Sequence, residues 1–134
     1  MRYTILGFLL LVSSSLFSQQ ITSLSLFPQE VKAEDGSSFY QAMVVVNLDD
    51  ATDLSAVQVQ LGTTAASNDY FDGLFFDSGE SLPPDTHYRR VGNTIVIRLG
   101  QFSPSQMSVP VHLCARLEGA SDLLGTPQTT VWQP

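Results

Sequence analysis

The sequence holds one cysteine, Cys114, in 134 residues. An internal disulfide is therefore excluded, and packing must supply the stability that small exported domains often draw from cross-links. Long hydrophobic runs are missing too. The apolar run at residues 5–12 (I-L-G-F-L-L-L-V) is far short of the roughly 20 residues a membrane-spanning helix needs. Basic residues are scarce: six Lys and Arg stand against thirteen Asp and Glu, a net charge of −7. Such a chain repels phosphate backbones and anionic lipid, so nucleic acid and membrane insertion are not expected. Catalytic signatures are missing as well. No G-x-S-x-G, H-E-x-x-H or glycine-rich phosphate loop occurs, and the only histidines are His87 and His112. No enzyme activity, catalytic residue or cofactor is expected.

What is present begins at the N-terminus. Met1-Arg2 is a short positive start, the apolar run follows, and residues 13–20 are mostly small and polar. That order is the pattern of a secretory signal peptide. Ser13 and Ser15 fit a cut after Ser15. A cut after Ser18 leaves Gln19 as a free end just before strand-like sequence and is preferred. The expected organisation is a signal peptide at 1–18 and a single domain at 19–134. Removing Arg2 leaves five basic residues against thirteen acidic ones in that domain. The expected location is secreted, periplasmic or cell-surface.

The domain alternates with a period of two. Val44, Val46 and Leu48 alternate with Met43, Val45 and Asn47. The same pattern recurs at Val57, Val59, Leu61, at Ile95, Ile97, Leu99, and from Met107 through Leu117. This is the signature of half-buried strands, and no window shows helical spacing. Strands are predicted at 21–27, 38–48, 56–61, 71–76, 87–91, 94–99, 109–117 and 129–132. Gly92-Asn93 reads as a two-residue hairpin turn, because both residues tolerate positive φ. Asp35-Gly36, Ser78-Gly79, Pro83-Pro84 and Gly125-Thr126-Pro127 mark other loops. Short strands at this spacing point to an all-β, antiparallel two-sheet sandwich of about seven or eight strands.

Several stretches carry a resemblance. D-L-S-A-V-Q-V-Q-L-G-T-T (53–64), L-F-F-D (74–77), Y-R-R-V-G-N-T-I-V-I-R-L-G (88–100) and the tail from Val109 to Trp132 are similar to the fibronectin type III-like and Ig-like modules of secreted bacterial proteins. The second strand has no Trp, and no Tyr precedes Val111, so the type III consensus is only partly present. The resemblance implies a non-catalytic module that binds a protein partner through loops and edge strands. The fold also hosts carbohydrate binding and structural assembly, so a glycan partner and self-association stand as alternatives.

Candidate residues follow from residue type. Tyr70, Phe71 and Tyr88 offer rigid aromatic faces for stacking on a sugar or docking a protein. The plainer alternative places Phe71, Phe75 and Trp132 in the core. Arg89 belongs to the Arg89-Arg90 pair, the one basic spot noted on an acidic chain. Alternation sends one of these arginines to each face of its strand. Asp49, Asp50 and Asp53 form a loop cluster of the kind that can bind calcium, or a solvated acidic loop. Cys114 shares an outward strand face with His112 and Arg116. It is either an inert, half-buried thiol or a link to a second chain.

Overall fold

The computed structural model describes residues 21–49, 54–65, 67–77, 87–119 and 127–134. The signal-peptide expectation at 1–18 and two of the calcium candidates, Asp50 and Asp53, lie outside them. Among the described residues eight strands form two antiparallel sheets. The strands are β1 (Ile21–Lys32), β2 (Ser38–Leu48), β3 (Leu54–Gly62), β4 (Phe71–Phe76), β5 (His87–Val91), β6 (Thr94–Phe102), β7 (Val111–Gly119) and β8 (Gln128–Trp132). One sheet runs β1-β2-β6-β5 and the other β4-β3-β7-β8. That pairing is the Ig-like sandwich, with four strands in the first sheet and an extra edge strand, β4, on the second. No described helix is long and apolar enough to cross a membrane.

Alternation sets the layers. Val44 and Val46 on β2, Ile95, Ile97 and Leu99 on β6, Val57, Val59 and Leu61 on β3, and Val111 and Leu113 on β7 are fully buried. All of them belong to the central strands of the two sheets. Burying each such side chain is worth about 1.5–3 kcal/mol relative to exposure. The edge strands add partly buried residues around this centre: Leu24, Phe71, Tyr88 and Trp132 pack against it.

Several expected boundaries are corrected: β3, β6 and β8 run beyond the expected 56–61, 94–99 and 129–132, and β7 runs on to Gly119. β1 continues to Lys32, where 21–27 was expected, and Lys32 pairs with Ser38. Pro28 does not break it, because β1 is an edge strand and a missing N–H is tolerated there. β7 begins at Val111 and not at 109. Residues Gln106–Ser108 form a short 3-10 turn with Met107 turned into the core, and Val109 is exposed. Ser103 N–H donates to Gln106 Oε1 (2.8 Å), which fixes that turn.

Two glycines take positive φ where turns require it. Gly36 (φ 88) closes the β1–β2 turn and Gly92 (φ 60) the β5–β6 hairpin. Val91 pairs directly with Thr94, so Gly92-Asn93 is the entire connection, as its residues indicate.

Candidate functional site

β5 is a short edge strand whose two faces do different work. Tyr88 and Arg90 point into the sandwich, while His87, Arg89 and Val91 are exposed. The Tyr88 ring stacks on Phe75 (centroids 6.4 Å, 10° between planes), and Phe75 stacks on Phe71 (6.0 Å, 18°). Gly73 lies between these two phenylalanines on β4, and a Cβ there would meet the Phe71 ring at 2.6 Å. The Tyr88 hydroxyl donates to Asp77 Oδ1 (2.6 Å), and the Arg90 guanidinium donates to Asp77 Oδ2. Burial first, and then this bond to a carboxylate, push the Tyr88 phenol well above its ordinary range. The structure therefore brings Phe71 and Tyr88 together with Phe75 as a ring stack on the inner side of the sheets. Tyr70 is also half-buried against the core, with its N–H bonded to Leu61 O (3.0 Å). Arg89 is not part of this cluster.

On β4 the aromatic residues of both parities separate cleanly. Phe71 and Phe75 face inward. Leu74 and Phe76 face outward and remain 40% and 46% exposed.

Arg89 instead belongs to the outer face of the β1-β2-β6-β5 sheet. Register places three rows across that face. One is Ser25–Val45–Val96–Arg89, the next Phe27–Met43–Arg98–His87, and the third Ser23–Asn47–Thr94–Val91. Phe27 is 52% and Val91 63% exposed, and Met43, Val45 and Val96 between them are partly exposed. His87 sits directly opposite Arg98, and Arg89 is diagonal to it, a separation of roughly 7–8 Å. None of the three rows contains a carboxylate, although the chain has thirteen. Neither Arg89 nor Arg98 has an ion-pair partner among the described residues; the ion pair there joins Arg90 to Asp77. Two shallow depressions share Arg98. One, of about 260 Å³, is bordered by Phe27, Met43 and Gln41; the other, of about 390 Å³, by His87, Arg89, Val91 and Val96. Sequence reasoning missed His87 and Arg98 as members of this face, as well as Phe27 and Met43.

Cys114 lies on the outer face of the other sheet, in register with Gln60 and Thr129. It is unpaired and only 7% exposed. Desolvation pushes its thiol up, and the charge of Arg116 pulls it back only in part. Thiolate is the reactive form, so the native protein is expected to react with a disulfide reagent at least about tenfold more slowly than the unfolded chain. Equal rates in the two states would show an accessible thiol and revive the cross-linked dimer. Asp49, the described member of the calcium candidates, is exposed. Among the described residues no group of three or more His, Cys, Asp or Glu is arranged to hold a metal ion.

No protein-family model matches the chain, and no curated protein matches it.

Proposed function

We propose that this protein is an exported, non-catalytic interaction module that binds a protein partner. Its binding surface is the outer face of the β1-β2-β6-β5 sheet. The observation that carries this reading is the apolar band that runs from exposed Phe27 through partly exposed Met43, Val45 and Val96 to exposed Val91 on a regular sheet. Isolated exposed apolar residues are ordinary, but a contiguous band of them on one face marks a docking surface. A stacking platform for sugars has less support. One face of the Tyr88 ring is taken by Phe75 and its hydroxyl is held by Asp77, so both are already engaged within the protein.

Site-specific photo-cross-linking tests the reading. A benzophenone side chain placed at Phe27 or at Val91, in cells that produce the protein, should yield one discrete adduct. The same group at Thr129, exposed on the opposite sheet, should yield none. The further substitution Met43→Asp, in the middle of the band, should abolish the adduct. Adducts from all three positions, or from none, would sink the proposal. An adduct of twice the chain mass would identify the partner as a second copy.

A further inference from the structure

We infer that the partner presents an acidic, extended segment, whose carboxylates are taken by Arg89 and Arg98 while its apolar side chains lie on Val96 and Met43. This inference rests on the reading of the sheet face as a docking surface and adds the chemistry of what docks there.

The first argument is the distribution of charge. The described carboxylates lie in turns, on the strands of the other sheet or at the inner rim, for example Asp35, Asp69, Asp72, Glu118 and Glu30, and none occupies the three rows of this face. A surface that serves only solubility intersperses signs, because like charges placed side by side on a sheet destabilise it. Here the hairpin sets His87 opposite Arg98 with Arg89 beside them, and among the described residues nothing neutralises the two arginines. The arrangement is unfavourable in isolation and becomes favourable once an anion arrives.

The second argument is the mixture of chemistries. Each arginine presents a planar fork suited to a carboxylate. The floor between them is Val96, and the adjoining depression is walled by Phe27 and Met43. Along β6 the apolar Val96 and the cationic Arg98 follow one another at two-residue spacing on one face, which matches an extended chain whose acidic and apolar side chains alternate at every second residue, because successive residues of a strand point to opposite faces. A sulfated or uronic polysaccharide would satisfy the arginines and leave the apolar strip unused. Screening over a Debye length of roughly 8 Å at physiological salt lets this local patch act despite the net negative charge of the whole chain.

The test uses the purified protein and a fluorescent peptide of Glu-Ser-Val-Ser repeats, which in extended form sets Glu and Val alternately on one face, with fluorescence polarisation as the readout. Binding is expected, weaker at high salt, and lost when Gln replaces Glu in the peptide. Loss of two exposed charge contacts in Arg89→Gln/Arg98→Gln should weaken it about tenfold. That variant should melt no lower than wild type, since both positions are exposed and mutually repulsive. The control Lys32→Gln/Arg116→Gln removes the same charge away from the face and should bind as wild type does. Equal weakening in the two double variants would reduce the effect to net charge and overturn the inference. Tighter binding of a heparin fragment through the same two arginines would overturn it in favour of a glycan. Failure of the peptide to bind while cross-links at Phe27 and Val91 persist would remove the acidic partner and leave the docking surface standing.

Discussion

Gly62→Ala is expected to destabilise the protein by about 2 kcal/mol or more, lowering the melting midpoint by roughly 8 °C. Gly62 ends β3 where the chain turns toward β4. A Cβ there would lie 1.9 Å from Ser67 Oγ, 2.4 Å from Asp69 Oδ1 and 2.8 Å from the backbone carbonyl carbon of Ser67. The side-chain atoms could swing away, but the backbone could not, and the turn is held from both ends. Thr64 N–H donates to Ser67 Oγ (3.0 Å), the Thr63 N–H and hydroxyl donate to Asp69 (3.0 and 2.8 Å), and Tyr70 N–H returns to Leu61 O (3.0 Å). Retreat of the turn therefore gives up several hydrogen bonds together and drags Tyr70 off the core.

The pH dependence of that loss identifies its cause. Hydrogen bonds from Thr63, then from Ser67, hold the Asp69 carboxyl at about 2, below its ordinary 3.8. A carboxyl depressed in the folded state contributes stability above its unfolded value, and that contribution disappears as pH falls through the folded one. In Gly62→Ala the bonds are displaced and the carboxyl returns toward its ordinary range. The gap between wild type and variant in urea melts should therefore narrow as pH is lowered from about 4 to 2. A gap of constant size would mean that the clash acts elsewhere than through Asp69, and no gap would mean that the turn yields freely.

Strands were legible where inward and outward residues alternate cleanly. The β2, β4 and β5 boundaries coincide with the expected 38–48, 71–76 and 87–91, and in β2 every second residue from Ala42 to Leu48 is buried. The misreadings have local causes. Pro28 looks like a strand end in sequence, and only the position of β1 at the sheet edge makes it harmless. Met107 and Val109 continue the β7 alternation, yet Met107 enters the core from a 3-10 turn and Val109 stays outside. Half of the candidate face was available in principle. A two-residue turn at Gly92-Asn93 forces Val91 opposite Thr94, hence Arg89 opposite Val96 and His87 opposite Arg98. Reading that hairpin to its end would have joined Arg98 to Arg89. Phe27 and Met43 were not available, since they reach the face through the β1–β2 and β2–β6 registers, and the latter pairs strands far apart in the chain. The Asp77 contacts were hidden for a similar reason, as they join strands of different sheets.

Those contacts carry the second large effect. Asp77→Ala should cost about 2 kcal/mol, less than the loss of a fully buried ion pair because the partners retain some exposure. The Asp77 and Arg90 side chains are 16% and 23% exposed. Asp77 N–H donates to Ser55 O (2.9 Å), fixing the carboxylate at the end of β4, and from there it reaches across to Tyr88 and Arg90 on β5. It thus ties the edge of one sheet to the edge of the other. Removing it strips a counter-charge from Arg90 and leaves the Tyr88 hydroxyl without this acceptor, while Asp77→Leu combined with Arg90→Met, which replaces both partners by apolar groups, should recover much of the loss. An absorbance titration provides a readout that a general loosening would not mimic. In the wild type Tyr88 should ionise well above the ordinary tyrosine range. In Asp77→Ala it should ionise earlier, though still late, because burial is the larger cause of its shift. The consequence for function runs along the strand. β5 has only five residues and one paired neighbour, β6, so the inward grip of Asp77 on Tyr88 and Arg90 steadies the outward side chains of His87 and Arg89. Amide exchange in β5 should accelerate in Asp77→Ala while that in β2 stays near wild type, and peptide binding at the outer face should weaken with it. If β5 exchanges no faster, the two faces of the strand are independent, and the cationic patch owes its order to the hairpin alone.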